Sequence, residues 1–288
     1  MASAHHSAIF KNILRATVPR AVRNWLRSPT KSAEWLWDSI RFSLGVTKTL
    51  NLPPGWPVIC HPQAYKLFYR LNICDPEQQE ELCHFASHCS PTMFLFDVGA
   101  SFGVFSLTAA HFGGQSVAVD PSPMAARMMA IQVALNGFEK KIRVLPLAVS
   151  DKKGDIGMVT SGVFSYGYFQ VAGDRRESEL TRTPTVSVDD LAQKFGPPTH
   201  IKIDVEGHEL AVLRGARTTL RTSSPLMFVE IHNFIIARDA GDPASVLDEL
   251  DQNGYSGFFP GGEAVNRSNL LKSDVVRIVA RRRSEILQ

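Results

Sequence analysis

The chain has 288 residues, of which 44% are hydrophobic, and a formal net charge of +3. This length and composition can bury a full core as one large domain, or as one domain with an appendage. The charge is uneven, because residues 1–50 hold eight Lys and Arg against two acids, a net +6, which leaves −3 on the rest. A mildly acidic body gives no electrostatic reason to expect nucleic acid as a partner.

Cysteine spacing and hydropathy indicate the cellular setting. No run approaches the ~18 consecutive apolar residues that a membrane span needs, and the N-terminus lacks the features of a secretory signal. The cysteines match neither a zinc site nor a dense disulfide framework, so we expect reduced thiols in a cytoplasmic protein. They are Cys60, Cys74, Cys83 and Cys89.

Residues 1–60 are predicted to form a basic, helical N-terminal arm. Apolar residues recur there at spacings of three and four, with interruptions near Pro19 and Pro29. Two interpretations stay open: the arm packs on the body or on a partner subunit, or it attaches peripherally to an anionic membrane surface. The membrane interpretation draws on three tryptophans: Trp25, Trp35 and Trp37.

Residues 61–288 are predicted to form the main domain. From residue 92, short apolar runs alternate with helical segments, which predicts an α/β fold with a mostly parallel sheet and helices on both faces. The predicted strands are 93–99, 116–120, 142–150, 200–204, 226–232, 255–259 and 274–280. The predicted helices are 103–113, 123–135, 208–220 and 243–254, the second capped by Ser122 ahead of Pro123.

Residues 151–184 interrupt this alternation and are predicted to be an inserted hairpin or loop. Insertions of this kind often determine binding specificity. Four aromatic residues in it either stack on an acceptor molecule or form a small core of the insertion itself. They are Phe164, Tyr166, Tyr168 and Phe169.

The stretch FDVGASFGVFS (96–106) has two interpretations. Its G-x-S-x-G pattern matches the nucleophile elbow of serine hydrolases, with Ser101 as nucleophile, and Asp204 and His232 follow in the chain order of that fold. Residues 1–90, however, look largely helical and contain no His-Gly-Gly run for an oxyanion hole. A hydrolase also has no use for Asp97 or for Asp120.

A cofactor loop uses both of these acids. Gly99 and Gly103 permit a sharp turn from a strand into a helix, and Asp120 ends the next strand, where a carboxylate can bind ribose hydroxyls. Ser101 occupies the position where a dinucleotide fingerprint has its middle glycine, and Asp97 would repel a diphosphate. S-adenosylmethionine is cationic and has no phosphate, so the pattern favours it over a dinucleotide.

A longer stretch carries a family resemblance. THIKIDVEGHELAVLRGARTTL (199–220), preceded by TVSVDDL (185–191) and joined to FDVGASFGVFS, resembles the FkbM-type methyltransferases over roughly residues 92–235. The resemblance implies a Rossmann-like seven-stranded sheet with its last strand antiparallel. It also implies S-adenosylmethionine as cofactor and methyl transfer, usually to an oxygen of a sugar, glycolipid or natural product.

The resemblance also assigns cofactor residues by position. The family more often has Glu-Pro where this chain has Asp120-Pro121, and Asn where it has Ser101, which puts the individual contacts in doubt but not the cofactor class. Ser101 would bond the amino-acid end of the cofactor. Asp97, Gly99, Ala100 and Gly103 would form the loop, Asp120 would hold the ribose, Ala148 and Val149 would lie against the adenine, and Asp204 would lie near the reacting methyl.

A hydroxyl acceptor needs a base or a metal ion to assist it. Our hypothesis is that His232 or Glu230 acts as general base beside Asp204, while Glu206 fixes the turn after the fourth strand of the main sheet. No metal ligands are assigned, although a metal held by Asp204, Glu230 and His232 stays an alternative by residue type alone. A serine hydrolase and a non-catalytic adapter remain the alternative functions, and the acceptor and oligomeric state stay open.

Overall fold

The computed structural model describes residues 43–65, 75–159, 170–171 and 180–286, together with residues 37, 40 and 41. Most of the predicted N-terminal arm lies outside the described residues, and so do the four aromatic residues of the insertion. Within these ranges, no helix is long and apolar enough to cross a membrane.

Strands and helices alternate along most of the described chain. The strands are β1 (Lys48–Leu52), β2 (Trp56–Cys60), β3 (Phe94–Val98), β4 (Gln115–Val119), β5 (Ile142–Leu145), β6 (Ala148–Val149), β7 (Gly154–Val159), β8 (Gln170–Val171), β9 (Leu180–Val186), β10 (His200–Ile203), β11 (Leu226–His232), β12 (Tyr255–Phe258) and β13 (Val275–Arg282). The helices are α1 (Pro62–Ala64), α2 (Pro76–Ser87), α3 (Val104–His111), α4 (Pro123–Leu135), α5 (Val188–Phe195), α6 (Glu209–Arg214), α7 (Arg217–Ser223), α8 (Asn233–Asp239), α9 (Ser245–Gln252), α10 (Arg267–Leu270) and α11 (Arg283–Ile286).

The central sheet has seven strands in the order β12-β13-β11-β10-β3-β4-β5. Neighbouring strands from β11 to β5 are parallel, while β13 runs antiparallel to both β11 and β12. The predicted Rossmann-like fold, with its last strand antiparallel, is therefore confirmed. In this register Val98 pairs with both Ile203 and Val119, so residues 99, 120 and 204 follow three adjacent strands at one edge of the sheet.

Two hydrophobic clusters form the core. One is built from β-strand residues with the apolar sides of α5, α6, α7 and α9, and the other includes α2, α3 and α4. The parallel strands β3, β4, β10 and β11 are buried over most of their length, which is why they are continuous apolar runs in the sequence, whereas the edge strand β5 is only partly buried. The predicted start of α4 is confirmed, since the Ser122 side chain accepts from Ala125 N ahead of Pro123.

The prediction that residues 1–90 are largely helical is wrong for residues 48–60. These residues form the antiparallel hairpin β1–β2, whose apolar face packs into the second cluster through Leu52 and Trp56. Asn136 at the end of α4 binds both the amide and the carbonyl of Ile59, which fastens the hairpin to the body. A helical arm therefore does not extend to residue 60.

Two predicted elements are each split in two. The strand predicted at 142–150 divides at Pro146, which has no amide hydrogen for the ladder, into β5 and β6 in different sheets. The helix predicted at 208–220 divides between α6 and α7. Gly215 at this break approaches the backbone of Ser150 too closely for a Cβ, and the Asp189 carboxylate accepts from two amides in the first turn of α7.

The described part of the insertion contains an antiparallel pair. β7 pairs with β9, β8 pairs with β7, and β9 pairs in parallel with β6. The hairpin predicted within residues 151–184 is therefore present in the described residues. The division into an arm and a main domain at residue 60 stays a prediction.

Candidate active site

The loop from Gly99 to Gly103, which we call the cofactor loop, turns sharply between β3 and α3. Gly99, Ser101 and Gly103 all have positive φ values, of 79°, 49° and 82°. The amides of Gly99 and Ala100 donate to the carbonyl of Val119, which ties the loop to β4. A Cβ at Gly99 would lie 1.7 Å from the carbonyl oxygen of Asp204, so the loop also contacts the end of β10.

Asp97 faces inward. It is 1% exposed, and its Oδ2 accepts hydrogen bonds from the amide (3.0 Å) and hydroxyl (2.6 Å) of Ser106 in α3. Burial raises its pKa to about 6, against the lowering effect of those hydrogen bonds and of Lys202. The structure thus joins Asp97 to the start of α3. Its expected contact with the cationic end of the cofactor stays a prediction.

Asp120 braces the cofactor loop from the end of β4. Its Oδ2 accepts from the Ser101 amide at 2.7 Å and its Oδ1 from the Ser122 amide at 2.8 Å. Burial raises the pKa of Asp120 to about 7, and these two hydrogen bonds oppose the shift. Ala148 and Val149, predicted to adjoin the adenine, are both buried in β6.

Three side chains with ligand atoms meet beyond the ends of β10 and β11. His232 Nε2 lies 3.8 Å from Asp204 Oδ1 and 3.6 Å from Glu206 Oε2. Glu206 (φ 51°) and Gly207 (φ 94°) form the tight turn that follows Asp204. We call Asp204, Glu206 and His232 the carboxylate–histidine cluster. Sequence reasoning named all three residues but gave Glu206 only a structural role in the turn.

Glu209 fixes the orientation of His232. Its Oε1 lies 2.7 Å from His232 Nδ1 and accepts from the Gly207 amide, and the side chain is fully buried. Burial alone would lower the pKa of His232, but the hydrogen bond to Glu209 and the charges of Asp204, Glu209 and Glu206 outweigh it and raise the pKa to about 9. Sequence reasoning missed Glu209, because nothing in the local pattern links it to a histidine 23 residues away.

The pKa values of Asp204 and Glu206, the two carboxyl groups of the carboxylate–histidine cluster, are both raised. Burial is the largest influence on Asp204 and on Glu206, and it raises the pKa of each. The charge of Lys202 and that of His232 oppose the shift at Asp204, and His232 does so at Glu206.

Glu230 does not join the cluster in the way that the sequence suggested. Its Oε1 accepts from Arg277 at 2.9 Å and its Oε2 lies 3.5 Å from Lys202 Nζ. Lys202 and Arg277 in turn bind Glu81 on α2, at 2.8 Å and 3.0 Å. Burial and the charge of Asp204 raise the pKa of Glu230 against the charges of Lys202, Arg277 and His232, but both carboxylate oxygens are engaged by Lys202 and Arg277. Among the described residues, the ligand atoms that converge are those of Asp204, Glu206 and His232, and Glu230 is not one of this group.

The hydrolase interpretation of Ser101 has no geometric support. Its amide donates to Asp120, and among the described residues no hydrogen bond joins its hydroxyl to a histidine. His208, at the start of α6, instead lies 2.9 Å from the hydroxyl of Ser150. The positive φ of Ser101 follows from the turn of the cofactor loop rather than from a nucleophile elbow.

The loop and Asp120 fit S-adenosylmethionine by the chemistry of their donors and acceptors. Each oxygen of Asp120 accepts one amide, so each keeps an acceptor position for one of two ribose hydroxyls. The cofactor loop has no lysine or arginine that would select a phosphate. An open parallel sheet binds its ligand beyond the carboxyl ends of its strands, and this is where the loop, Asp120 and the cluster lie.

Fold and site together define a Rossmann-like enzyme that binds an adenosyl cofactor. The model of the methyltransferase FkbM domain matches residues 97–256, more than half of the chain. The chain belongs to this family of methyltransferases, and its cofactor is S-adenosylmethionine. The serine hydrolase alternative is therefore wrong, while the non-catalytic adapter stays an untested alternative.

A curated relative is similar to this chain at low sequence identity. The hexuronic acid methyltransferase AglP of Haloferax volcanii is 29% identical over 149 residues, which cover 50% of this chain and 58% of AglP. The chain thus matches somewhat more than half the length of this curated relative.

Two solved structures are similar at low identity. The methyltransferase FkbM from Methylobacillus flagellatus KT has a TM-score of 0.45 at 15% identity, covering 75% of this chain and 52% of that one. Sp1610 of Streptococcus pneumoniae, a putative tRNA (m1A22) methyltransferase in complex with S-adenosyl-L-methionine, has a TM-score of 0.42 at 12% identity, covering 70% and 72%.

Proposed function

We propose that this methyltransferase transfers a methyl group to a hydroxyl oxygen of a saccharide. The observation that supports the site of reaction most directly is the contact between Gly99 of the cofactor loop and the Asp204 carbonyl. This contact puts the carboxylate–histidine cluster beside the loop that binds the methyl donor. The relative AglP is a hexuronic acid methyltransferase, which supports a saccharide as acceptor.

The cofactor residues keep the roles given by the resemblance. When bound, S-adenosylmethionine supplies an electrophilic methyl group, whose bond to sulfur breaks as the new bond to oxygen forms. The backbone of the cofactor loop and the carboxylate of Asp120 hold the donor and exclude water from it. The proposed binding residues are Asp97, Gly99, Ala100, Ser101, Gly103, Asp120, Ala148 and Val149.

The cluster activates the acceptor. His232 Nε2 makes no hydrogen bond among the described residues, and Glu209 orients the ring through Nδ1, so Nε2 is the atom placed to take the hydroxyl proton. Because the pKa of His232 is raised to about 9, only the neutral fraction of the ring can take this proton, and turnover should rise as the pH approaches 9. Asp204 adjoins both this nitrogen and the cofactor loop, where it can orient the acceptor. Glu230 has no role as a base in this proposal because Lys202 and Arg277 occupy its carboxylate.

The test is methyl transfer from ¹³C-labelled S-adenosylmethionine to a glucuronic acid oligosaccharide, with a glucose oligosaccharide as the matched neutral acceptor. We expect an O-methyl product, identified by mass spectrometry and NMR. His232→Gln should lower turnover by about 100-fold or more, the usual contribution of a general base, while leaving the affinity for S-adenosylhomocysteine unchanged.

The matched control is His200→Gln, because His200 begins β10 and so lies at the opposite end of the strand from the cluster. This variant should keep full turnover. If the protein binds S-adenosylhomocysteine but methylates neither saccharide, the acceptor class is wrong. If His232→Gln turns over at the normal rate, the proposed base is wrong.

A further inference from the structure

We propose that Asp204, Glu206 and His232 bind a divalent cation such as Mn²⁺, which in turn binds the acceptor hydroxyl. One ligand atom from each residue lies within 4.8 Å of the other two. The distances from His232 Nε2 to the two carboxylates are 3.8 Å and 3.6 Å. Ligand atoms about 2.1 Å from one metal ion lie roughly 3–3.5 Å apart, so a small inward movement completes the set.

The orientation of His232 provides independent support for a cation. Its side chain is 8% exposed, and Nε2 faces the Asp204 and Glu206 carboxylates at 3.8 Å and 3.6 Å, beyond hydrogen-bond distance. Its other ring nitrogen contacts the fully buried Glu209, whose second oxygen, Oε2, has no hydrogen-bond partner. A buried carboxylate that orients a histidine from behind is the usual arrangement around a metal-binding imidazole.

The charges at the site also favour a cation. Asp204, Glu206 and Glu209 bring three carboxyl groups around His232. The nearby Lys202 and Arg277 are already engaged by Glu81 and Glu230. A divalent ion would offset two of the three negative charges without moving any strand.

The ligand types narrow the class of metal. Two carboxylates and one imidazole suit Mn²⁺ and similar first-row ions better than Mg²⁺, which prefers oxygen ligands alone, or soft ions, which prefer sulfur. Three protein ligands leave further coordination positions for the acceptor. A cation-bound hydroxyl is more acidic, so its proton can leave to solvent before the oxygen forms its bond to the methyl carbon.

This inference rests on the proposed function and changes the role of His232 from base to ligand. The test begins with the full chain treated with EDTA and dialysed. We expect one equivalent of Mn²⁺ to bind, measured by calorimetry and by loss of the free Mn²⁺ EPR signal. Asp204→Asn, Glu206→Gln and His232→Gln should each weaken binding at least about 10-fold, and Glu209→Gln about 10- to 100-fold.

His200→Gln should bind Mn²⁺ like the unaltered chain, and a thermal shift with S-adenosylhomocysteine should show that every variant is folded. Removing the metal should abolish methyl transfer, and Mn²⁺ should restore it. Absence of stoichiometric Mn²⁺ binding, or equal binding by the three ligand variants, overturns the metal site. Full turnover after metal removal also overturns the metal site, but it leaves the proposed saccharide methylation intact. Mn²⁺ binding without methylation of either saccharide overturns only the proposed acceptor.

Discussion

At the scale of single residues, Gly99 brings the cofactor loop into contact with the strand that leads to the carboxylate–histidine cluster. Gly99 is the point where the cofactor loop contacts the end of β10, and its φ of 79° and the 1.7 Å distance from a built Cβ to Asp204 O both require glycine. Some other glycines have only the first of these constraints. Gly137, just beyond α4, has a φ of 70° and no atom within 4 Å of its built Cβ.

Alanine substitutions at Gly99 and Gly137 therefore distinguish the cost of a steric clash from the cost of backbone strain alone. Gly137→Ala should lower the free energy of unfolding by about 1–2 kcal/mol, the cost of a left-handed conformation for alanine. Gly99→Ala should cost clearly more, and should also weaken S-adenosylhomocysteine binding, because β3 and β10 must move apart. Urea denaturation and calorimetry measure the two effects. Equal costs for the two variants would contradict the close approach.

Ser106 supports the buried Asp97 carboxylate. Ser106→Ala removes the 2.6 Å hydrogen bond and leaves only the amide donor, so we expect a loss of about 1–3 kcal/mol in the free energy of unfolding. Ser87→Ala is the control, because the hydroxyl of Ser87 donates to a carbonyl at an exposed position. It should change stability by less than about 0.5 kcal/mol. Similar losses in the two variants would argue against the Asp97 contact.

At the scale of elements, an ion cluster links α2 to three strands of the sheet. Glu81 comes from α2, Lys202 from β10, Glu230 from β11 and Arg277 from β13, and their side chains are 1–15% exposed. Two acids and two bases balance within the cluster. The carboxylate of Glu230 is therefore part of the packing between elements, with one oxygen bound by Arg277 and the other near Lys202.

Because the charges of the ion cluster balance, the losses of unfolding free energy caused by substituting its members should not be additive. Lys202→Met leaves an unbalanced buried negative charge and should cost about 3–5 kcal/mol of unfolding free energy. The double variant Lys202→Met with Glu81→Gln restores the balance and should recover part of that loss, as measured by a double-mutant cycle in urea. Simple addition of the two single costs would show that the cluster is not coupled.

At the scale of the whole molecule, buried carboxyls make stability depend on pH. Burial raises the pKa of Asp97 to about 6 and that of Asp120 to about 7, both well above the ordinary value for an aspartate. A raised carboxyl pKa means that the folded state binds protons more tightly than the unfolded state. Stability contributed in this way is present at low pH and is lost as the pH rises through the folded pKa.

We therefore expect the EDTA-treated protein to be less stable at about pH 8 than at about pH 5.5, by roughly 1–3 kcal/mol. Asp120→Asn should reduce this difference, because the side chain that ionises is gone. Denaturation in urea at the two pH values measures it. A stability that is constant or increases over this interval would contradict the prediction.

Local patterns in the sequence predicted the elements of the main sheet and the cofactor class. Buried parallel strands are apolar runs, the Ser122-Pro123 pair marks a helix start, and the spacing from Asp97 through the glycines to Asp120 lies within one strand–helix–strand unit. Each of these signals acts over a few residues. These signals can therefore be recognised without knowledge of the rest of the chain.

The sequence by itself predicted the cofactor loop, the seven strands of the central sheet in their chain order, and a set of polar candidates at strand ends. Only the tertiary structure decided which candidates meet: Glu209 orients His232, Glu206 joins the cluster, and Lys202 and Arg277 engage Glu230. The physical reason is that these partners are 23 to 47 residues apart in the chain. Their contacts depend on which strands become neighbours in the sheet, and the periodicity within each strand does not encode that order.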